Sequence, residues 1–253
     1  MRRKLLFANW KMHKNNEESV KFVKNILDVI KKNKNNKVLV GVAPTFLSLF
    51  DVCKIAGEKI LVISQNVHFL DSGAYTGEIS AEMLKSIGVN YSIIGHSERR
   101  NYYNENNLTS NLKIKKLLSM NMIPIYCCGE PLEIYKKQKT CDFIKKQICE
   151  GLNDIAKKDA EKIIIAYEPI WSIGSGNNME AKEANKICIF IRKIIKEIFG
   201  EEVSKKIFII YGGSVNSKNA NEYLNFFDID GFLIGSASLK LSEFKKIFFN
   251  MLK

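Results

Sequence analysis

No run of this 253-residue chain approaches the roughly 18 unbroken apolar residues that a membrane-spanning helix needs, although 46% of its residues are hydrophobic. The basic N-terminus carries only a short apolar run, Leu5 to Ala8, which stops at Asn9-Trp10-Lys11, so no secretory signal is expected. The six cysteines (Cys53, Cys127, Cys128, Cys141, Cys149 and Cys188) form no Cys-x-x-Cys pair and adjoin no histidine cluster. That argues against a zinc site or a disulfide framework and for reduced thiols in a cytoplasmic setting. No Gly-x-Gly-x-x-Gly follows the first apolar run, where a dinucleotide fold would place it. Low-complexity and linker-like segments are missing too, so a single domain over residues 1–253 is expected.

What is present in excess is positive charge, a net +12. Clustered Lys and Arg would read as a phosphate-neutralising nucleic-acid surface. Here the pairs Lys31-Lys32, Lys115-Lys116, Lys145-Lys146 and Lys245-Lys246 are scattered along the chain, with no basic arm and no interleaved aromatics. They read as solvated helix faces with a small gain in attracting an anionic substrate. Neither a nucleic acid nor a membrane is expected as a partner.

Short apolar runs alternate with amphipathic stretches throughout. Strands are predicted over 5–9, 38–43, 60–64, 91–94, 123–126, 163–167, 207–211 and 231–234; helices over 17–31, 46–56, 80–86, 108–120, 141–156, 181–199, 217–224 and 241–252. The strands are continuously apolar rather than alternating, as in a parallel sheet covered by helices on its outer face. In the last helix Leu241, Phe244, Ile247, Phe248 and Met251 fall on one stripe. Eight strands each followed by a helix predict an α/β fold, a single-domain (β/α)8 barrel. A doubly wound open sheet is the structural alternative.

In such a barrel, chemistry sits at the C-terminal strand ends. Those ends read Asn9 and Lys11, Gln65-Asn66, Gly95-His96-Ser97-Glu98, Cys127 and Glu130, Glu168, Gly212-Gly213-Ser214 and Gly235-Ser236. The stretch Ile164-Ile165-Ala166-Tyr167-Glu168-Pro169-Ile170-Trp171-Ser172-Ile173-Gly174-Ser175-Gly176 is the most suggestive. An apolar, β-branched run ends at an acid and continues into a glycine-punctuated loop whose bulky segment can close over that acid. A carboxylate that can be dried on demand suits a general base. Taken alone, the stretch reads equally well as an ordinary strand end with an exposed Glu. In isolation His96 likewise reads as a core histidine, Lys11 as a snorkelling surface residue, and Gly212-Gly213 as a plain turn.

Several separated motifs, in order, change that balance. Ala8-Asn9-Trp10-Lys11-Met12, Gly95-His96-Ser97-Glu98-Arg99-Arg100, Ala166-Tyr167-Glu168-Pro169-Ile170-Trp171, Tyr211-Gly212-Gly213-Ser214-Val215 and Gly231-Phe232-Leu233-Ile234-Gly235 strongly resemble the triosephosphate isomerase family, across essentially the whole chain. The resemblance implies interconversion of dihydroxyacetone phosphate and glyceraldehyde 3-phosphate through an enediolate, with no cofactor and no metal. It implies Glu168 as the base, with Ile170 on the lid and Leu233 at the eighth strand end as an apolar clamp that strips water from it. His96 would donate a hydrogen bond to the developing oxyanion, and the family is the standard example of a neutral imidazole in that role. Lys11 would supply positive charge near the substrate oxygens and Asn9 a further donor. Glu98 would pair with Lys11; Ser97 and Cys127 would neighbour the base and the histidine, although a strand-end Cys is more often core. The phosphate, lacking a Walker-type loop, would meet backbone amides at Gly174, Ser214, Gly235 and Ser236. The lid would also prevent elimination of phosphate from the enediolate, which would leave methylglyoxal.

The loop over residues 65–79 is long for a compact domain. It resembles the family's interdigitating loop, whose tip enters a second subunit with Thr76 supporting the partner's Asn9 and Lys11, and so implies a homodimer. Three features depart from the family's pattern: Ser236 stands where a glycine is usual, Asn177-Asn178-Met179 forms the far lid hinge, and Ser172 and Ser175 replace Ala and Thr. If position 236 needed a positive φ, Ser would cost about 1 kcal/mol there. Two other functions stand beside the isomerase: a phosphate-binding barrel for a larger sugar or indole phosphate, and a non-catalytic or additional surface-binding role on the same barrel.

Overall fold

The computed structural model describes residues 2–33, 37–174 and 178–252. Eight strands, β1 (Lys4–Asn9), β2 (Val38–Ala43), β3 (Ile60–Ser64), β4 (Tyr91–Ile94), β5 (Ile123–Cys128), β6 (Ile164–Tyr167), β7 (Phe208–Tyr211) and β8 (Gly231–Ile234), close into a barrel in sequence order. All pairings are parallel, and β8 returns to β1 in the register Leu5↔Gly231 to Ala8↔Ile234. The structure is therefore a (β/α)8 barrel, and the open-sheet alternative falls.

The continuous apolar runs have a direct cause: each strand is covered on both sides. Leu5, Phe7, Ile63, Ile93, Ile125, Ile164 and Ile210 form one buried cluster, the barrel interior. The alternate residues Leu6, Ala8, Val40, Val42, Ile165 and Ile209 belong to a second cluster that also contains the buried helix faces. Those helices start where side chains replace missing intrahelical bonds. Asn15 and Glu18 form a reciprocal cap on helix Asn16–Lys32, as Asn106 and Thr109 do on helix Asn107–Ser119.

The predicted elements are all present, several with the predicted ends and others shifted or divided. The stretch predicted as one helix over 141–156 divides into Thr140–Gly151 and Lys157–Ala160. Only Ala220–Leu224 of the helix predicted over 217–224 is helical. Helices Ser97–Tyr102, Leu132–Lys136 and Glu201–Lys206 were not predicted as elements. Each spans five or six residues, too few turns for a 3.6-residue period to register. Among the described residues no helix is long and apolar enough to cross a membrane.

Candidate active site

Glu168 follows β6 directly, and its N–H donates to the Cys128 carbonyl at 2.8 Å. Two glycines make its position possible. A Cβ on Gly129 would lie 1.7 Å from the Glu168 carbonyl oxygen, and one on Gly212 would lie 2.7 Å from Glu168 Cγ. Any side chain at either position would displace the carboxylate. Glu168 is only 2% exposed. Its Oε1 stands 3.4 Å from His96 Nε2, and its Oε2 accepts the Ser97 N–H at 3.4 Å.

His96 caps the N-terminus of helix Ser97–Tyr102. Its Nδ1 accepts the Glu98 N–H at 3.2 Å, while the Glu98 carboxylate lies farther off at 3.7 Å. A nitrogen that accepts must offer a lone pair, so the proton of the ring resides on Nε2, the atom facing Glu168. Arg100 fixes the loop before the histidine, its Nε donating to the Gly95 carbonyl at 2.7 Å and its Nη1 to Asn107 Oδ1 at 2.7 Å. Cys127 lies in the barrel interior below. Burial, and next the Glu168 charge, push its thiol far above the ordinary range, so it stays a neutral packing group.

Lys11 sits two residues past the β1 end at φ 52°, in the left-handed region that costs a non-glycine residue on the order of 1 kcal/mol. Three contacts hold it there. Asn9 Oδ1 accepts the Lys11 N–H at 3.1 Å, Gln65 Nε2 donates to the Lys11 carbonyl at 2.9 Å, and Glu98 Oε1 receives the ammonium at 2.6 Å. Gln65 also donates to the Ala43 carbonyl at 2.9 Å, tying the ends of β1 and β2 to that of β3. The sequence shows Gln65 as a polar strand end; nothing in it shows a strained Lys11 that needs support.

These groups open on one cavity of about 260 Å³. Asn9, Lys11, His96, Glu98, Glu168 and Leu233 line it, together with Gly174, Ser214, Gly235 and Ser236. Ser236 opens the short 3-10 helix Ser236–Leu239 and is not among the residues with positive φ, so the serine carries no left-handed cost. Ser214 is already engaged: its Oγ donates to the Ser172 carbonyl at 2.6 Å, and its N–H to Ser172 Oγ at 3.4 Å.

The lid begins as a 3-10 turn, Ile170–Ser172. Ile173 and Gly174 line the cavity, whereas Ile170 is half-buried and not among the lining residues. The turn is anchored below by Glu130, a fully buried acid that accepts the Trp171 indole N–H at 2.9 Å and the Tyr167 hydroxyl at 3.1 Å. Burial pushes the Glu130 carboxyl above its ordinary value, and the Trp171 and Tyr167 donors offset part of that. Ser175, Gly176 and Asn177 lie outside the described residues. Beyond them Met179 is buried and its carbonyl accepts the Tyr223 hydroxyl at 2.6 Å.

The loop over 65–79 runs out from β3 and carries no helix or extended strand, only a bridge between His68 and Ser80. His68 stacks against Phe69 and Tyr75, with ring centroids 4.5 and 4.6 Å away. Residues 71–78, Thr76 included, are exposed. Among the described residues no group of three or more His, Cys, Asp or Glu side chains is placed to hold a metal ion.

A buried carboxylate facing an imidazole N–H, with an ammonium and several glycines lining the same cavity, defines the class: a (β/α)8 barrel with an acid–base site at the C-terminal ends of its strands. Comparison with known proteins narrows it. The family model described as triosephosphate isomerase matches residues 4–251. The chain is 45% identical over 248 residues to the triosephosphate isomerase of Dictyoglomus thermophilum, covering 98% of this chain and 99% of that one. Identity is 45% over 248 residues with the protein of that name from Fusobacterium nucleatum (98% of each chain) and 44% over 248 residues with that from Clostridium perfringens (98% and 99%). The chain belongs to the triosephosphate isomerase family.

Proposed function

We propose that this chain interconverts dihydroxyacetone phosphate and D-glyceraldehyde 3-phosphate, with Glu168 as the proton carrier. The observation that carries the reading is the 3.4 Å separation of Glu168 Oε1 and His96 Nε2 at the wall of one cavity with Lys11. Glu168 takes a proton from the carbon beside the carbonyl; the C–H electron pair forms the enediolate double bond, and negative charge moves onto the carbonyl oxygen. The His96 Nε2–H and the Lys11 ammonium meet that charge, with Asn9 as a further donor. Glu168 then returns the proton to the neighbouring carbon, and a proton shifts between the two oxygens. Reactant and product are isomers, so no electrons are exchanged with a cofactor. Glu98 holds Lys11, and Ser97 orients Glu168 through its amide.

The amides around Gly174, Ser214, Gly235 and Ser236 seat the phosphate, with the short helix at Ser236 supplying N–H groups aimed outward. Leu233, with Ile170 brought over by the lid, keeps water from Glu168 and keeps the enediolate from losing phosphate. The loop over 65–79, its exposed Thr76 at the tip, docks into a second copy of the chain to form a homodimer. The absence of a long apolar helix among the described residues and the reduced thiols fit a cytoplasmic, single-domain enzyme of glycolysis and gluconeogenesis. Steady-state isomerisation of glyceraldehyde 3-phosphate, coupled to reduction of the product, tests the reading. Glu168→Gln should lower kcat by about 10²–10⁴-fold. Equal activity of variant and wild type, or none in the wild type, refutes it.

A further inference from the structure

We propose that Tyr135 is a positioning residue for the lid, clamping Trp171 from the face while Glu130 holds it by the edge. The proposal rests on the lid function given above. Tyr135 lies on the short helix Leu132–Lys136 that follows β5. Its ring stacks on the Trp171 indole with centroids 4.4 Å apart and planes inclined by 29°. The indole N–H at the same time donates to Glu130 Oε1 at 2.9 Å. A planar side chain held at one edge can still swing about that bond; a second ring against its face removes the swing.

The Tyr135 hydroxyl reaches the helix that follows the far hinge. It donates to the Glu183 carboxylate, 3.2 Å to Oε1 and 3.3 Å to Oε2. Glu183 is in the first turn of helix Ala181–Phe199, the element on which the far hinge ends. One side chain thus touches Trp171 in the first turn of the lid and the helix that follows the far hinge. Among the described residues that line the catalytic cavity, Tyr135 does not appear. Its effect on the reaction must therefore pass through Trp171 and the lid, and be read as altered lid closure rather than altered proton transfer.

The test uses the full-length enzyme with Tyr135→Ala and Tyr135→Phe, Glu168→Gln being measured alongside. A stack of this kind contributes enough to shift an equilibrium about 2- to 12-fold. Tyr135→Ala should lower kcat/KM by a factor in that range and raise the methylglyoxal fraction of the product. Tyr135→Phe, which keeps the stack and loses only the bond to Glu183, should recover most of both. Trp171 is one of two tryptophans and the other, Trp10, is fully buried. The fluorescence change on binding 2-phosphoglycolate should accordingly be altered in Tyr135→Ala and near wild type in Tyr135→Phe. An unchanged methylglyoxal fraction and an unchanged fluorescence response in Tyr135→Ala would overturn the proposal, whether or not its thermal stability falls. So would failure of Tyr135→Phe to rescue. If Glu168→Gln keeps full activity, the isomerase reading on which the lid depends has failed; if it does not, a silent Tyr135→Ala refutes the positioning role alone.

Discussion

Nε2 of His96 stands 3.4 Å from Oε1 of Glu168, and the other ring nitrogen is occupied by the Glu98 N–H. The amide does more than cap a helix, since it decides which nitrogen carries the proton. A histidine whose Nδ1 accepts can only donate from Nε2, toward the space where a substrate oxygen would lie. Replacement His96→Gln keeps a donor but loses this fixed direction. Removing an oxyanion donor of this kind costs about 10²–10³-fold in kcat, and that loss is expected, with KM changed far less. A kcat within twofold of wild type would place the electrophile elsewhere.

Gln65 is expected to matter although it touches no substrate. Replacing it with Leu removes both hydrogen bonds, leaving the Lys11 carbonyl without that donor, the Ala43 carbonyl with only the Trp10 N–H at 3.2 Å, and Lys11 at φ 52° with fewer restraints. A buried carbonyl stripped of its partner costs about 1–3 kcal/mol, which for a chain of this size lowers Tm by about 2–4 °C for each kcal/mol. Both Tm and kcat should fall in Gln65→Leu. A variant with wild-type values of both would show that Asn9 and Glu98 suffice.

Ser172 engages the Ser214 amide that is proposed to seat the phosphate. Its Oγ takes the Ser214 N–H at 3.4 Å, a long bond. Release of that amide in Ser172→Ala should lower KM for the triose phosphate by about 2-fold, the weak end of what a hydrogen bond contributes. A raised KM would mean that the hydroxyl helps to bind substrate instead.

Glu130 makes stability depend on pH. Its carboxyl sits above its ordinary value of 4.5, chiefly through burial. The folded protein therefore binds this proton more tightly than the unfolded chain does. The stability contributed is present in acid and is lost as pH rises from 4.5 through the higher folded value. Glu130→Gln cannot ionise and should lack that slope. Urea midpoints of wild type and variant, measured from acid to neutrality, should diverge in favour of the variant as pH rises. A pH-independent difference would contradict this.

The thiols should fall into two groups. Cys141 and Cys149 are exposed; Cys127, Cys128 and Cys188 are buried, and burial pushes the half-buried Cys53 to about 11. A maleimide at mildly alkaline pH should modify Cys149 promptly, Cys141 more slowly because partial burial and then Asp142 push its thiol up, and the other four far more slowly still. Rapid labelling at Cys127 would mean that the barrel interior opens.

The barrel was legible because each strand is apolar on both faces, so β2 and β3 show as unbroken runs with the boundaries observed. Helices of eleven residues or more showed their period, as in Phe46–Ala56 and Ala181–Phe199, whose ends match. Leu132–Lys136, which carries Tyr135, is a single turn and left no period to find. The ionisable site residues stood out as polar groups ending apolar strands. Gln65 and Gly212 were visible at strand ends, but not what they support, because Gln65 acts on backbone carbonyls and Gly129 and Gly212 act by lacking a Cβ. The lid divides differently as well: in this conformation Ile173, not Ile170, lines the cavity.

The central claim is that Glu168 moves a proton between adjacent carbons, and solvent deuterium tests it most directly. A proton held on a carboxylate can exchange with water before it is returned; a hydride passed from carbon to carbon cannot. Isomerisation of glyceraldehyde 3-phosphate in D2O, followed by proton NMR, should give dihydroxyacetone phosphate carrying deuterium at the carbon that received the proton, with turnover and labelling both lost in Glu168→Gln. Hydrogen retained in every product molecule, or labelled product formed at the wild-type rate by Glu168→Gln, would contradict the account.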